Sequence, residues 1–209
     1  MDQESARRPR APRLSTSDRR REIVEAVLQL ARERGPDAIT THAIAERIGV
    51  TQGAVFRHFP DKASIWLAVF EWVRASLDAA LSDAVKSGRT PLSKIERAFL
   101  AHATFVATHP GVPRMLFHEL QFAGETSVRA AVRATVGGYR RRLARLFDEA
   151  KREGELPARL DSTLATVLFI GAVQGLVIHA ALAGNDASVA KGAQPMLALL
   201  LDGYRGAGK

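Results

Sequence analysis

The chain has 209 residues and no cysteine, which excludes disulfides and cysteine-ligated metal sites. Hydrophobic residues make up 46% and charged residues 25% of it, a composition that excludes a chain disordered throughout. Its formal net charge of +8 favours a polyanionic partner such as nucleic acid.

Residues 1–16 are predicted to form a flexible basic arm, because arginine and proline alternate there with almost nothing apolar. The segment lacks the apolar run of a secretory signal, so we expect a cytoplasmic protein. Basic arms are either solvated tails or enter the DNA minor groove, and for Arg10 and Arg13 the sequence leaves both interpretations open.

Residues 17–63 are predicted to hold three helices in the arrangement of a helix-turn-helix DNA-binding domain. The first helix has an N-cap at Ser15 and ends at a Gly-Pro pair. Threonines cap the two short helices that follow, and Gly49 lies between them. We expect the small residues Ala45 and Gly49 to let these two helices cross closely.

Residues 64–209 are predicted to form an all-α body, since no stretch alternates convincingly with a period of two. A long helix capped by Asp61 would connect the DNA-binding domain to this body. A helix opening at Pro91 follows, then short helical pieces, then a long helix that ends near Arg152.

The run from residue 162 to residue 185 contains no charged side chain and is long enough to raise a membrane-span alternative. Gln174 and His179 interrupt it, and a helix that is apolar all round can equally be buried in protein. We therefore predict a homodimer, with no membrane contact, in which the last two helices pair with those of a second copy in a four-helix bundle.

The segment TTHAIAERIGVTQGAVFRHFPDKASIW, residues 40–66, resembles the DNA-binding signature of the TetR (tetracycline repressor) family. It combines two capped helices, an aromatic-x-His-Phe end and an Asp-Lys start of the next helix. A match over nearly thirty residues is far more specific than an isolated helix-turn-helix pattern. The resemblance implies an all-α fold with an N-terminal helix-turn-helix domain and a C-terminal domain for effector binding and dimerisation.

The resemblance also implies which residues contact double-stranded DNA. Gln52 would read bases, because its amide can make two hydrogen bonds to adenine. Phe56 stands where the family often has tyrosine, so its contact would be apolar. The full set comprises Thr41 and His42 at the phosphates, Thr51, Gln52, Gly53, Ala54 and Phe56 at the major groove, and His58 and Lys62 near phosphate.

An effector that favours one spacing of the two DNA-binding helices would release the dimer from a palindromic operator. Candidate effector-binding residues are those that a plain core does not require, although such side chains are more often core than ligand contacts. They are Phe99, His102, Phe105, Met115, Phe117, His118, Phe122, Tyr139, Phe169 and Gln174. They favour an apolar or aromatic effector, and we expect no cofactor and no metal.

Two other functions compete with a ligand-regulated repressor. An enzyme is disfavoured, because the sequence lacks a His-Glu-x-x-His zinc motif, a Gly-x-Ser-x-Gly elbow and a cysteine nucleophile. A DNA-binding protein without an effector stays open, and a ligand-sized cavity in the body would argue against it.

Overall fold

The computed structural model describes residues 15–121 and 124–206, and in these ranges it contains nine α-helices, one 3-10 turn (Pro36–Ala38) and no strand. The all-α prediction is confirmed. In chain order the helices are α1 (Thr16–Arg34), α2 (Thr41–Arg47), α3 (Gln52–Phe56), α4 (Lys62–Lys86), α5 (Pro91–Thr108), α6 (Gly111–Gln121), α7 (Ser127–Arg152), α8 (Ser162–Leu182) and α9 (Ser188–Gly206).

Side-chain caps begin the first four helices where the sequence predicts them. Ser15 Oγ accepts a hydrogen bond from the Asp18 backbone N–H at 3.1 Å, and Thr40 caps α2 in the same way. Thr51 caps α3, and Asp61 forms a reciprocal capping box with Ser64 at the start of α4. Because α2 and α3 have only seven and five residues, they depend on these caps and on packing.

The turn between α2 and α3 corrects the prediction about Gly49. Gly49 has φ +67°, and a Cβ built on it would have no heavy atom within 4 Å. A glycine is therefore required there for the left-handed backbone conformation and not for close helix crossing. Ala45, which is buried between the helices, does fit the crossing argument.

Helix α6 is one continuous helix, whereas short helical pieces were predicted for this part of the chain. Prolines lie at positions 110 and 113, on either side of the start of this helix. Pro113, however, lies in the first turn of α6, where backbone N–H groups have no helical partner, so proline is tolerated there.

Helices α4, α5, α7, α8 and α9 pack together into the body, and an aromatic cluster forms its centre. Phe99, Phe147 and Phe169 are fully buried, and the rings of Phe99 and Phe169 meet edge to face at 5.1 Å. Tyr204 of α9 packs on Phe147, and its hydroxyl donates to the Ala165 carbonyl at 2.8 Å. These contacts fix α8 and α9 against α5 and α7.

Helix α6 connects the body to the DNA-binding half by packing directly on α1. Gly111 lies so close to α1 that a Cβ on it would be 2.2 Å from the Leu28 carbonyl oxygen. Further along, Arg114 donates a hydrogen bond to the Arg32 carbonyl, and His118 lies 3.3 Å from the Asp37 carboxylate. One face of α6 therefore holds α1 and the turn that follows it.

Helices α8 and α9 leave an apolar surface uncovered. Of the eight large apolar side chains that are exposed among the described residues, six lie on these two helices: Leu164, Val167, Leu168, Ile178, Leu182 and Leu199. By length and composition α8 could also cross a membrane, but one such helix is weak evidence, because helices that pack in soluble assemblies pass the same test.

Candidate DNA-binding surface and ligand cavity

The side chains predicted to contact DNA lie on one surface formed by α2, α3 and the start of α4. His42, Thr51, Gln52, Phe56 and Lys62 are exposed. Gly53 is also exposed, and Thr41, Ala54 and His58 are half-buried, which completes the predicted set within the described residues. Arg10 and Arg13 of the predicted arm lie outside the described residues.

Gln52 is held in a defined orientation at the start of α3. Its Nε2 donates a hydrogen bond to the Thr41 hydroxyl at 2.6 Å, which joins the first residues of α2 and α3. This contact leaves the amide oxygen and one N–H hydrogen available, the donor and acceptor that an adenine edge requires. Thr41 thus positions the proposed base-reading side chain.

Phe56 is 44% exposed on the same surface. It is available to contact an apolar group on a partner, such as a thymine methyl.

The end of α3 is tied to α1 by an arginine that the sequence analysis did not single out. Arg20 donates to the His58 carbonyl oxygen at 2.6 Å, and its guanidinium lies 4.1 Å from the centre of the Phe59 ring. Phe59 is fully buried. The signal available in the sequence was only that Arg20 follows the cap of α1 among other arginines.

Lys62 places its ammonium nitrogen 4.7 Å from the centre of the Trp66 ring. A cation held over an aromatic face keeps its charge at the N-terminal end of α4, where the helix dipole also attracts anions. The start of α4 therefore presents positive potential beside α3.

A cavity of about 90 Å³ lies inside the body, enclosed by side chains from α4, α5, α6, α7 and α8. No Asp, Glu, Lys or Arg side chain lines it among the described residues, and most of its wall is aliphatic or aromatic. Five of the predicted effector-binding residues line this inner cavity: His102, Phe105, Phe117, Tyr139 and Gln174.

The other predicted effector-binding residues do not line the inner cavity. Phe99, Met115 and Phe169 are fully buried in the packed core. His118 points instead toward Asp37, at the contact between α6 and the 3-10 turn. Phe122 lies outside the described residues. Helical spacing predicts which side of a helix faces inward, but not whether that side meets a cavity or another side chain.

The polar groups of the inner cavity include a histidine–tyrosine pair. The Tyr139 hydroxyl lies 3.2 Å from His102 Nδ1, and the two rings meet edge to face. Burial lowers the pKa of His102 to about 4. Burial also raises the pKa of Tyr139, against the opposing effect of Arg142. Both side chains are therefore neutral at neutral pH.

The low pKa of His102 predicts a loss of stability in mild acid. The unfolded chain binds a proton at this side chain below about pH 6.5, whereas the folded chain does so only near pH 4. The free energy of unfolding should therefore fall as the pH decreases from 6.5 to 4, by up to about 1.4 kcal/mol per pH unit. Urea unfolding of the wild type and His102→Asn between pH 5 and 7 measures this slope.

The exposed residue His42 supplies a control substitution, His42→Asn, for the loss of an imidazole outside the cavity. Equal slopes for the wild type and His102→Asn would show that His102 is not held neutral by burial.

A second cavity, the outer cavity, adjoins the first at a shared wall that includes Val106, Phe117 and Val177. Its volume is about 260 Å³, and its lining includes Arg114 and Asp186. Asp186 pairs with Arg32 of α1 at 3.6 Å. The outer cavity therefore lies between the inner cavity and the end of α1.

Among the described residues, no group of three or more His, Asp or Glu side chains could hold a metal ion.

Two family models match the chain. The model for "Bacterial regulatory proteins, tetR family" matches residues 23–69, which run from within α1 to the first part of α4. The model for "Tetracyclin repressor-like, C-terminal domain" matches residues 88–178 of the body. The two matches follow one another along the chain in the order expected for such regulators.

Curated relatives of similar length include nucleoid occlusion factors. The chain is 28% identical over 165 residues to the nucleoid occlusion factor SlmA of Marinomonas sp. (strain MWYL1), covering 78% of this chain and 83% of the relative. It is 27% identical over 173 residues to SlmA of Aliivibrio fischeri (strain MJ11), covering 80% and 83%.

Solved structures share the fold at low sequence identity. The transcriptional regulator FadR from Bacillus subtilis, solved in complex with stearoyl-CoA, has a TM-score of 0.76 at 20% identity, covering 88% of this chain and 98% of that one. The ketosteroid transcriptional regulator KstR2 of Mycobacterium tuberculosis has a TM-score of 0.75 at 21% identity, covering 90% and 95%. These similarities establish the arrangement of the helices.

Proposed function

Because the chain belongs to the TetR family of DNA-binding regulatory proteins, we propose that it is a homodimeric, cytoplasmic transcriptional repressor that a small apolar molecule releases from a palindromic operator. The observation that best supports DNA binding is the exposed Gln52 amide, which a hydrogen bond to Thr41 holds in place at the start of α3. The N-terminal family model describes regulatory proteins, and two similar solved structures are of transcriptional regulators, which supports a regulator over an enzyme.

A dimer would account for the apolar surface of α8 and α9. A contiguous set of exposed leucine, isoleucine and valine side chains is unfavourable in water and typical of an interface between subunits. The exposed side of α8 also carries Gly171 and Gly175, where an added Cβ would meet no atom of the same chain. Glycines at these positions allow a second copy of α8 to approach closely.

DNA binding is tested by selecting fragments of genomic DNA with the purified protein and then measuring affinity for the recovered sequence. We expect a palindrome whose half-sites are separated by about one helical turn or somewhat more, because a two-fold dimer presents two recognition helices. Recovery of sequences without internal symmetry would contradict the palindromic operator.

The substitution Gln52→Ala should lower the affinity for the operator without affecting random duplex, since the side chain would lose its contacts to base edges. The expected loss is about 1–3 kcal/mol for each half-site, roughly fivefold to 150-fold. Fluorescence anisotropy with labelled operator and with a scrambled duplex of equal length measures both affinities.

Lys62→Ala is the matched comparison, because an ammonium group near phosphate contributes equally to every sequence. It should weaken binding to both duplexes by a similar factor and reduce the slope of log affinity against log salt concentration by about one for each subunit, or about two for the dimer. Equal losses on operator and scrambled duplex for Gln52→Ala would reject its role in base reading.

Helix α6 offers a direct route from the effector to DNA. Its positions 112, 113, 116 and 117 line the inner cavity, while Gly111, Arg114 and His118 contact α1 and the turn after it. A molecule that enlarges the cavity must move α6, and α1 is packed against the other face of that helix. The ligand's preference for the displaced arrangement then sets how far DNA affinity falls.

The effector is proposed to be mainly hydrocarbon, in line with the uncharged lining of the inner cavity. The two regulators of similar fold carry names that refer to stearoyl-CoA and ketosteroids, both rich in hydrocarbon. The inner cavity alone is smaller than the roughly 150 Å³ that holds benzene in an engineered apolar cavity. Binding therefore requires the cavity to open, which is the movement that release needs.

The small inner cavity also favours the second candidate, a DNA-binding protein that needs no effector. The two functions differ in one measurement. A mixture of apolar metabolites extracted from the cells that make the protein should weaken binding to the operator if an effector exists, and should leave it unchanged for the second candidate.

A further inference from the structure

We propose that the inner cavity is a site for an uncharged, mainly hydrocarbon molecule that carries a carbonyl or similar hydrogen-bond acceptor, and that His102 Nε2 donates to this acceptor. The assignment rests on the proposed function, because it names the chemical class of the effector and the residue that recognises it.

The direction of the hydrogen bonds follows from the histidine–tyrosine pair. A phenolic O–H is a stronger donor than an imidazole N–H, and an imidazole nitrogen is a stronger acceptor than a phenolic oxygen. The Tyr139 hydroxyl therefore donates to His102 Nδ1 across their 3.2 Å separation. In the neutral ring the remaining hydrogen then lies on Nε2, which makes this nitrogen a donor.

This donor is free to meet a ligand. No hydrogen bond to His102 Nε2 occurs among the described residues. Among the described residues, the side-chain polar atom that is both completely buried and without a hydrogen bond is His58 Nδ1. His102 Nε2 also has no hydrogen bond but is not completely buried, so open space must lie beside it. Since His102 lines the inner cavity, that space is the cavity.

The remaining lining excludes a charged group. No Asp, Glu, Lys or Arg side chain among the described residues lines the inner cavity, so an ion placed there would lose its hydration without a counter-charge. Burial keeps both His102 and Tyr139 neutral, so neither supplies that charge. A charged part of a longer ligand would have to lie in the outer cavity beside Arg114 and Asp186.

The volumes indicate a molecule longer than the inner cavity. The inner and outer cavities measure about 90 and 260 Å³, and only together do they exceed the roughly 300 Å³ at the lower end of ordinary ligand pockets. Their shared wall contains the half-buried side chains of Phe117 and Val177. Movement of these side chains would join the two spaces, with His102 at one end and Arg114 at the other.

Four compounds with the same 4-butylphenyl body test the assignment by equilibrium dialysis against the full-length protein: 4′-butylacetophenone, 1-butyl-4-ethylbenzene, 4-butylbenzoate and 4-butylbenzylammonium. The ketone should bind roughly fivefold more tightly than the hydrocarbon, which corresponds to one net hydrogen bond. The carboxylate and the ammonium ion should bind roughly 100-fold more weakly than the ketone, since their charge must be desolvated.

The double variant His102→Phe/Tyr139→Phe should bind the ketone and the hydrocarbon equally, because it keeps both aromatic rings but has neither the imidazole donor nor a Tyr139 hydroxyl left without its acceptor. Tyr139→Phe alone retains His102 and should reduce the ratio only in part, which gives a second reading if the double variant does not fold. Equal binding of ketone and hydrocarbon by the wild type, tighter binding of either ion, or an unchanged ratio in both variants overturns the assignment.

The DNA-binding measurement separates this inference from the proposed function. Selection of the ketone by a protein that ignores duplex DNA at low salt would support the assignment and contradict the repressor. Tight operator binding without selection of the ketone would support the repressor and overturn the assignment.

Discussion

Substitution of Leu168 by glutamate should convert the protein into a folded monomer with roughly 100-fold or more weaker affinity for its operator. Leu168 is 52% exposed on α8, so a glutamate at this position can extend its carboxylate into water in a folded monomer. In the proposed dimer the same position is buried against a second copy, and an unpaired carboxylate there is unfavourable. Two linked half-site contacts then become one, and the gain from bivalency is lost.

Leu120→Glu is a closely matched control. Leu120 is 53% exposed but belongs to α6 and not to α8 or α9, so the variant should remain dimeric and bind the operator like the wild type. Sedimentation equilibrium and fluorescence anisotropy measure both properties, and circular dichroism verifies that each variant is helical. A dimeric Leu168→Glu variant would place the subunit interface elsewhere.

A single methyl group at Gly111 should destabilise the protein by about 2–3 kcal/mol. The Cβ of Gly111→Ala would be 2.2 Å from the Leu28 carbonyl oxygen and 3.2 Å from the Ala31 side chain. A backbone carbonyl within α1 cannot rotate away, so α1 and α6 must separate, and overpacking of this kind typically costs that amount. Urea unfolding monitored by circular dichroism measures the loss.

The opposite result is expected at Gly138, in the middle of α7. The nearest side-chain atom to an added Cβ there is 4.0 Å away, so Gly138→Ala should raise the free energy of unfolding by up to about 1 kcal/mol through helix propensity. If Gly111→Ala proved as stable as the wild type, α6 would not pack on α1 at the distance described above, and the proposed route from cavity to DNA would lose its basis.

The ends of the helices were the part of the fold that the sequence specified best. Ser15, Thr40, Thr51 and Asp61 each cap a helix, as predicted, because capping depends on a side chain and the three residues after it. The chemistry is local, so a linear pattern contains it. The all-α class and the family followed from the same short-range signals.

Contacts between distant segments could not be predicted in the same way. Nothing in the spacing of α6 indicates that Gly111 lies on the Leu28 carbonyl, or that Arg20 reaches the end of α3. Likewise, Phe99 and Phe105 share an apolar helix, yet only Phe105 lines the inner cavity. A cavity is a property of how several helices meet, and one helix carries too little information to reveal it.

The domain limits at residues 16 and 63 and the roles assigned to individual DNA-contacting residues stay predictions. The domain limits depend on where the chain separates into independently moving units, and the residue roles depend on the contacts made in a complex with DNA. Helical periodicity encodes neither.

The two-sided use of α6 has a consequence for changing the protein's response to chemicals. Positions 112, 113, 116 and 117 shape the inner cavity, whereas positions 111, 114 and 118 contact α1 and the turn after it. The two groups of positions alternate within about two turns of one helix. Randomising the whole segment to engineer a sensor for a new compound will mostly yield variants that no longer bind DNA. Libraries confined to Leu116 and Phe117 would vary which compound is recognised while preserving the contact between α6 and α1, and with it DNA binding.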